Sequence, residues 1–161
     1  MNLFLIRHGE AADKKAGQSD SERSLTEEGS KVLNSAAKNW KEFIPHFDYL
    51  VSSELKRAIQ TAEIIREVYN IKEKVHVDKR LNPGSHTEDI IDIANELSGE
   101  NIALFGHEPD FSEHTSLLIS SAGAKVEFKK GAIAKITFHS KARIGAGILQ
   151  FLIPPKVFIK K

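Results

Sequence analysis

Apolar positions in this chain fall into short continuous runs separated by helical stripes. Residues 2–6, Asn-Leu-Phe-Leu-Ile, form an apolar run bounded by charge, which predicts a strand buried on both faces. Residues 13–24 are polar throughout and read as an exposed loop. Leu25, Val32, Leu33, Ala36, Trp40, Phe43 and Ile44 then recur at helical spacing, with Ser24 and Glu27 offering a capping box and Pro45 a stop. Residues 48–52 predict a second strand. Ser53 is placed to cap a second helix with the stripe Leu55, Ala58, Ile59, Ala62, Ile65 and Tyr69. A short strand follows over 74–77, then Asn82-Pro83-Gly84 and a third helix, with Ser85 and Glu88 as its capping box and Ile90, Ile91, Ala94 and Leu97 facing inward. Residues 101–105 form another apolar run, and a helix from about Pro109 to Ser121 suits proline in its first turn.

After Gly123 the pattern changes. Residues 125–128, 132–138 and 146–153 alternate or run apolar with glycines between them, predicting a meander or hairpin that Pro154-Pro155 closes. The early β-α-β-α order implies an α/β fold: a three-layer α/β/α sandwich around a mixed, mostly parallel sheet with an antiparallel edge. In such sheets, sites form outside the carboxyl ends of the strands.

Composition narrows the function classes. The chain has 161 residues, the size of one domain, and residues 1–161 read as a single domain without a cap subdomain. Lys and Arg number 23 against 22 Asp and Glu, so the net charge of +1 argues against a nucleic-acid or membrane binder. Cysteine is absent, which removes disulfides, thiol catalysis and thiolate metal sites, and fits a cytoplasmic setting. No apolar run approaches the ~20 residues of a membrane span, and Leu3-Phe4-Leu5-Ile6 is too short for a signal sequence.

Three strand exits carry candidate chemistry. The first ends at Arg7-His8-Gly9-Glu10. The second ends at Ser52-Ser53 and leads into a helix bearing Arg57. The fourth ends at Gly106-His107-Glu108-Pro109. Two imidazoles and two guanidinium groups brought to one edge without a carboxylate cluster suit an anion. Arg forks match phosphate oxygens, a neutral His can attack phosphorus, and a cationic His can stabilise the equatorial oxygens. Phosphoryl transfer needs mainly positioning and charge neutralisation, so no cofactor or metal is expected.

These residues resemble a known family. Leu5-Ile6-Arg7-His8-Gly9-Glu10, Leu25-Thr26-Glu27-Glu28-Gly29, the run from Ser53 to Ala62 with Arg57-Ala58 and Gln60-Thr61-Ala62, and Gly106-His107-Glu108-Pro109 match, in order, motifs of the histidine phosphatase, or phosphoglycerate-mutase-like, superfamily. The short length and the Leu81–Ser85 and Gly106–Asp110 segments look most like the small SixA-type phosphohistidine phosphatases. The resemblance implies that His8 is the nucleophile that becomes phosphorylated. It implies that Arg7 and Arg57 bind the phosphoryl oxygens, that His107 stabilises the transferring group, and that water then hydrolyses the intermediate.

The family's acid is the point of departure. Mutase-like members carry a Glu near the position where this chain has Asn82-Pro83-Gly84. Phytase-like members carry an Asp where Glu108 stands, so Glu108 is the candidate acid, with Glu10 beside it. A phosphohistidine substrate relaxes the need, because its leaving imidazole has a pKa near ~6.5.

The leading expectation is therefore a phosphatase of phosphohistidine on a protein, acting as a monomer. A phosphatase of small phosphate esters and an inactive phosphate-binding module are the alternatives. Helix-start charge is the plain reading of Glu108, and a capping-box role that of Glu88. His46, His76, His86, His114 and His139 read as surface residues, with His86 nearest the expected site. Lys129-Lys130 and Lys160-Lys161 read as solvated charges, and Trp40 as core.

Overall fold

A computed structural model describes residues 1–158; the pair Lys160-Lys161 lies outside the described residues. Six strands form one sheet: β1 (Asn2–Arg7), β2 (Tyr49–Ser52), β3 (His76–Val77), β4 (Asn101–Gly106), β5 (Ile133–Thr137) and β6 (Ile148–Ile153), in the order β3-β2-β4-β1-β5-β6. The β1/β4, β2/β4 and β2/β3 pairs are parallel, and the β1/β5 and β5/β6 pairs are antiparallel. Four helices accompany the sheet: α1 (Glu27–Trp40), α2 (Lys56–Tyr69), α3 (Thr87–Glu96) and α4 (Asp110–Ile119). This is the expected α/β sandwich around a mixed sheet with an antiparallel edge.

The continuous apolar runs explain the three layers. Along β1, Leu3 and Leu5 face one side while Phe4 and Ile6 face the other, because successive strand side chains alternate. Leu3, Leu5, Ile102 and Leu104 pack with Ile90 and Ile93 of α3 and Phe111 and Leu118 of α4. Phe4, Ile6, Ala103 and Phe105 pack with Ala36 and Trp40 of α1 and Ala58, Ala62 and Ile65 of α2. Both faces of the central strands are buried, so a polar alternation has no place in them.

Two details differ from the sequence pattern. Residues 125–128 are not a strand. Only Phe128 of this segment is buried, and its backbone is engaged elsewhere: its N–H donates to Ser112 Oγ and its carbonyl accepts from Arg7. The helix starts also shift. Thr26, not Ser24, caps α1, accepting from the Gly29 N–H at 2.8 Å. Leu55 and His86 stand at the N-caps of α2 and α3 in place of Ser53 and Ser85, and at α3 the Asp89 carboxylate, rather than that of Glu88, accepts the cap N–H. The two displaced serine hydroxyls bond histidine rings instead.

Candidate active site

The sheet order creates the site. The chain leaves β1 toward α1 on one face and leaves the adjacent β4 toward α4 on the other, so the two exits diverge and open a crevice. Register aligns the exits: Arg7 pairs with Gly106, and Ser52 with Phe105. Backbone bonds carry the ladder one step further, from the His8 N–H to Gly106 O (3.1 Å) and from the Ser53 N–H to Phe105 O (3.1 Å). His8, His107 and Ser53 thus stand in one row above the sheet.

The two histidine rings lie 5.2 Å apart between centroids and are almost wholly buried. His8 Nδ1 is 2.7 Å from Gly9 O. Only Nδ1–H can make that bond to a carbonyl, so Nε2 keeps the lone pair. Arg57 Nε–H donates to that Nε2 at 3.2 Å. Burial, with the charges of Arg57 and Arg7 nearby, lowers the His8 pKa to about 4, so the ring is neutral near pH 7. Burial first, then His8 and Arg57, lowers that of His107 to about 3. Arg7 donates NH1 to Phe128 O at 2.7 Å, which anchors it beside the crevice.

Residues around the four explain their placement. Gly9 allows α1 to approach, because a Cβ there would lie 2.4 Å from Leu33 Cδ1. The Gly9 N–H donates to Thr61 Oγ1, which donates in turn to Arg57 O, and Gln60 Oε1 accepts from the Leu25 N–H. Thr61 and Gln60 therefore tie α2 to the loop after β1 and hold Arg57 against His8.

The polar loop over residues 13–24 also reaches the site. Arg57 NH1 donates to Asp20 O at 2.8 Å, and NH2 to Asp20 Oδ2 at 2.9 Å. Nothing in the pattern of the polar 13–24 loop marks Asp20 for this contact. The motif serine Ser53 has the position of a helix cap in the sequence, yet its Oγ lies 2.7 Å from His107 Nε2. No periodicity signals either contact, because each joins segments far apart in the chain.

Glu108 is turned to the start of α4. Its Oε1 accepts from the Ser112 N–H and its Oε2 from Ser112 Oγ at 2.6 Å. It acts on Arg7 only through its field, which opposes the lowering of the Arg7 pKa by burial. Glu54 is paired with Asn82, and exposed Glu10 lies 3.8 Å from Lys130. His114 corrects the surface reading: it is fully buried, with Nε2 on Ser85 Oγ and Nδ1 on Thr87 Oγ1, both at 2.9 Å. His46, His76, His86 and His139 are exposed.

Among the described residues, no group of three or more His, Cys, Asp or Glu side chains is arranged to hold a metal ion, and no helix is long and apolar enough to cross a membrane. A cavity of about 960 Å³ opens on the outer side of Arg7, floored by Val32, Leu33, Pro154 and Pro155. It meets the crevice at Arg7, Gly9 and Glu10.

The chain matches a known family. The model of the histidine phosphatase superfamily (branch 1) matches residues 3–88, and the chain belongs to that superfamily. Its structure is similar to that of the protein histidine phosphatase SixA complexed with tungstate, with a TM-score of 0.83 and 25% identity over 99% of this chain and 100% of that one. The phosphohistidine phosphatase SixA described as putative from Agrobacterium tumefaciens shares the fold, with a TM-score of 0.80 and 19% identity over 96% and 97%. An uncharacterized protein of a Picosynechococcus species is 28% identical over 99% of this chain and 94% of its own length. The chain is thus a SixA-like phosphatase-type hydrolase.

Proposed function

We propose that this protein removes phosphate from phosphohistidine on a partner protein, through a phosphoryl-His8 intermediate. His8 Nε2 attacks phosphorus in line and the bond from phosphorus to the substrate's imidazole nitrogen breaks; that ring carries a proton on its other nitrogen, so it leaves as neutral imidazole with the bonding pair. Water then attacks phosphorus, the bond to His8 breaks, and inorganic phosphate leaves. Arg7 and Arg57 neutralise the equatorial oxygens, and His107 stands on the far side of the transferring group.

One observation carries the substrate class. Three carboxylates around the crevice are engaged, Glu108 by Ser112, Glu54 by Asn82, and Asp20 by Arg57 and Arg23, and Glu10 is exposed to solvent beside Lys130. An alkoxide leaving group needs a positioned acid, whereas an imidazole does not. The site therefore suits a phosphoramidate. The similarity to SixA, a protein histidine phosphatase, supports the same choice. The cavity beyond Arg7 offers room for the polypeptide around the phosphorylated side chain.

A substrate panel tests this reading. Phosphohistidine on a carrier protein is expected to be hydrolysed with higher kcat/KM than phosphoserine or sugar phosphates, with EDTA having no effect. A large preference for the esters would overturn it.

A further inference from the structure

We infer that Ser53 is a positioning residue for His107: its hydroxyl fixes the tautomer of that ring and can follow the ring through a change of charge. The inference rests on the phosphoryl-transfer reading above, in which His107 faces the transferring group.

Ser53 is fully buried at the exit of β2, and its backbone N–H is held by Phe105 O, so its side chain has a fixed origin. Its Oγ lies 2.7 Å from His107 Nε2. Its other contact is the Leu55 N–H, a long donor at 3.4 Å. His107 Nδ1 is buried and has no hydrogen-bond partner among the described residues.

The proton between Ser53 and His107 has two placements. If the hydroxyl donates to Nε2, the neutral ring carries its proton on Nδ1, and that N–H alone is left unpaired. If Nε2–H donates to the hydroxyl, both the hydroxyl proton and the Nδ1 lone pair are left unpaired. Each unpaired buried polar group carries a desolvation cost, so the first placement is favoured. The free protein then holds His107 as the Nδ1–H tautomer, with its Nε2 lone pair satisfied by serine.

A hydroxyl suits this position better than other partners. A carboxylate would keep the ring cationic at all times, and a carbonyl would demand Nε2–H. The charges of His8, Arg57 and Arg7 near the ring oppose its cation, while that of Asp20 favours it. A phosphoryl dianion reverses that balance. When the ring takes a proton from solvent on Nε2, the serine hydroxyl turns about its Cβ–Oγ bond and accepts it. The serine thus supports both states without moving the ring.

The test combines a tautomer measurement with kinetics. In ¹⁵N-labelled free protein, long-range proton–nitrogen spectra are expected to show His107, assigned by its loss in His107→Gln, as the Nδ1–H form. Ser53→Ala, which removes one oxygen and adds no bulk, is expected to shift His107 toward the Nε2–H form. It should lower kcat about tenfold with KM within about twofold. Ser53→Thr, where thermal melting shows it folded, should recover most of the loss; where it does not fold, the alanine pair of measurements decides. Nε2–H in the wild type, or an unchanged His107 spectrum in Ser53→Ala, would overturn the assignment. The tautomer is read without turnover, so an inactive wild type with the Nδ1–H form would count against the phosphatase reading alone.

Discussion

Removing the Asp20 carboxylate should tighten phosphate binding. Arg57 presents one guanidinium edge to His8 and spends NH1 and NH2 on Asp20. A phosphoryl group bound by Arg57 must therefore share or displace that carboxylate. Charge-assisted hydrogen bonds of this type are worth roughly 1.5–3 kcal/mol when desolvated. The Asp20 side chain, however, is 51% exposed, although Arg57 is only 7% exposed. Solvent screening brings the contact down to about 0.5–1 kcal/mol, the range of exposed ion pairs. At 1.4 kcal/mol per tenfold, that is roughly a two- to fivefold gain in affinity for inorganic phosphate. The hydrogen bond from Arg23, and then that from Arg57, lowers the Asp20 pKa, so its charge is fully present at neutral pH. The assay is competitive inhibition by phosphate against p-nitrophenyl phosphate, for wild type, Asp20→Ala and Asp20→Asn. The gain should be larger for alanine, which also loses the side-chain hydrogen bond, and should shrink as salt rises. Unchanged or weaker phosphate inhibition in Asp20→Ala would mean that Asp20 holds Arg57 in place rather than competing for it.

Two further outcomes follow from packing and charge. A Cβ at Gly106 would lie 2.5 Å from Phe111 Cζ, in a fully buried ring, so Gly106→Ala should cost about 1–3 kcal/mol in urea unfolding and lower kcat by moving His107. An unchanged stability would show that β4 and α4 separate freely. His114 has its pKa lowered by burial from 6.5 to about 4, so in that window the unfolded chain binds a proton that the folded chain does not. Its contribution to stability is present above pH 6.5, falls as pH drops toward 4 by up to about 3 kcal/mol, and changes no further below that. Urea midpoints from pH 7.5 to 4 should flatten in His114→Gln relative to wild type, and parallel curves would contradict the assignment.

How much the sequence revealed depends on the kind of information. The runs 2–6 and 101–105 were legible as buried strands because a strand covered on both faces admits no polar alternation. The convergence of Arg7, His8, Arg57 and His107 followed from their places at strand exits and an early helix turn, since the sheet brings those ends together. The caps were less legible. Ser24-Leu25-Thr26 offers two capping hydroxyls within one turn, and propensity alone does not choose between them. Segment 125–128 has the pattern of a strand, but Ser112 and Arg7 take up the backbone of Phe128. Least legible were the partners of single polar side chains. Ser53 with His107, Thr61 with Gly9, and His114 with Ser85 and Thr87 are contacts across 27 to 54 positions, and nothing local in the sequence encodes them.

The most direct test of the central claim is detection of phosphorylated His8. The protein is mixed with a phosphohistidine-bearing carrier protein or acetyl phosphate, quenched in alkaline denaturant during turnover, and mapped by mass spectrometry. A single acid-labile phosphoryl group is expected on His8, with phosphate release abolished in His8→Ala. Steady release of phosphate by His8→Ala, or by wild type with its label on another residue, would contradict it.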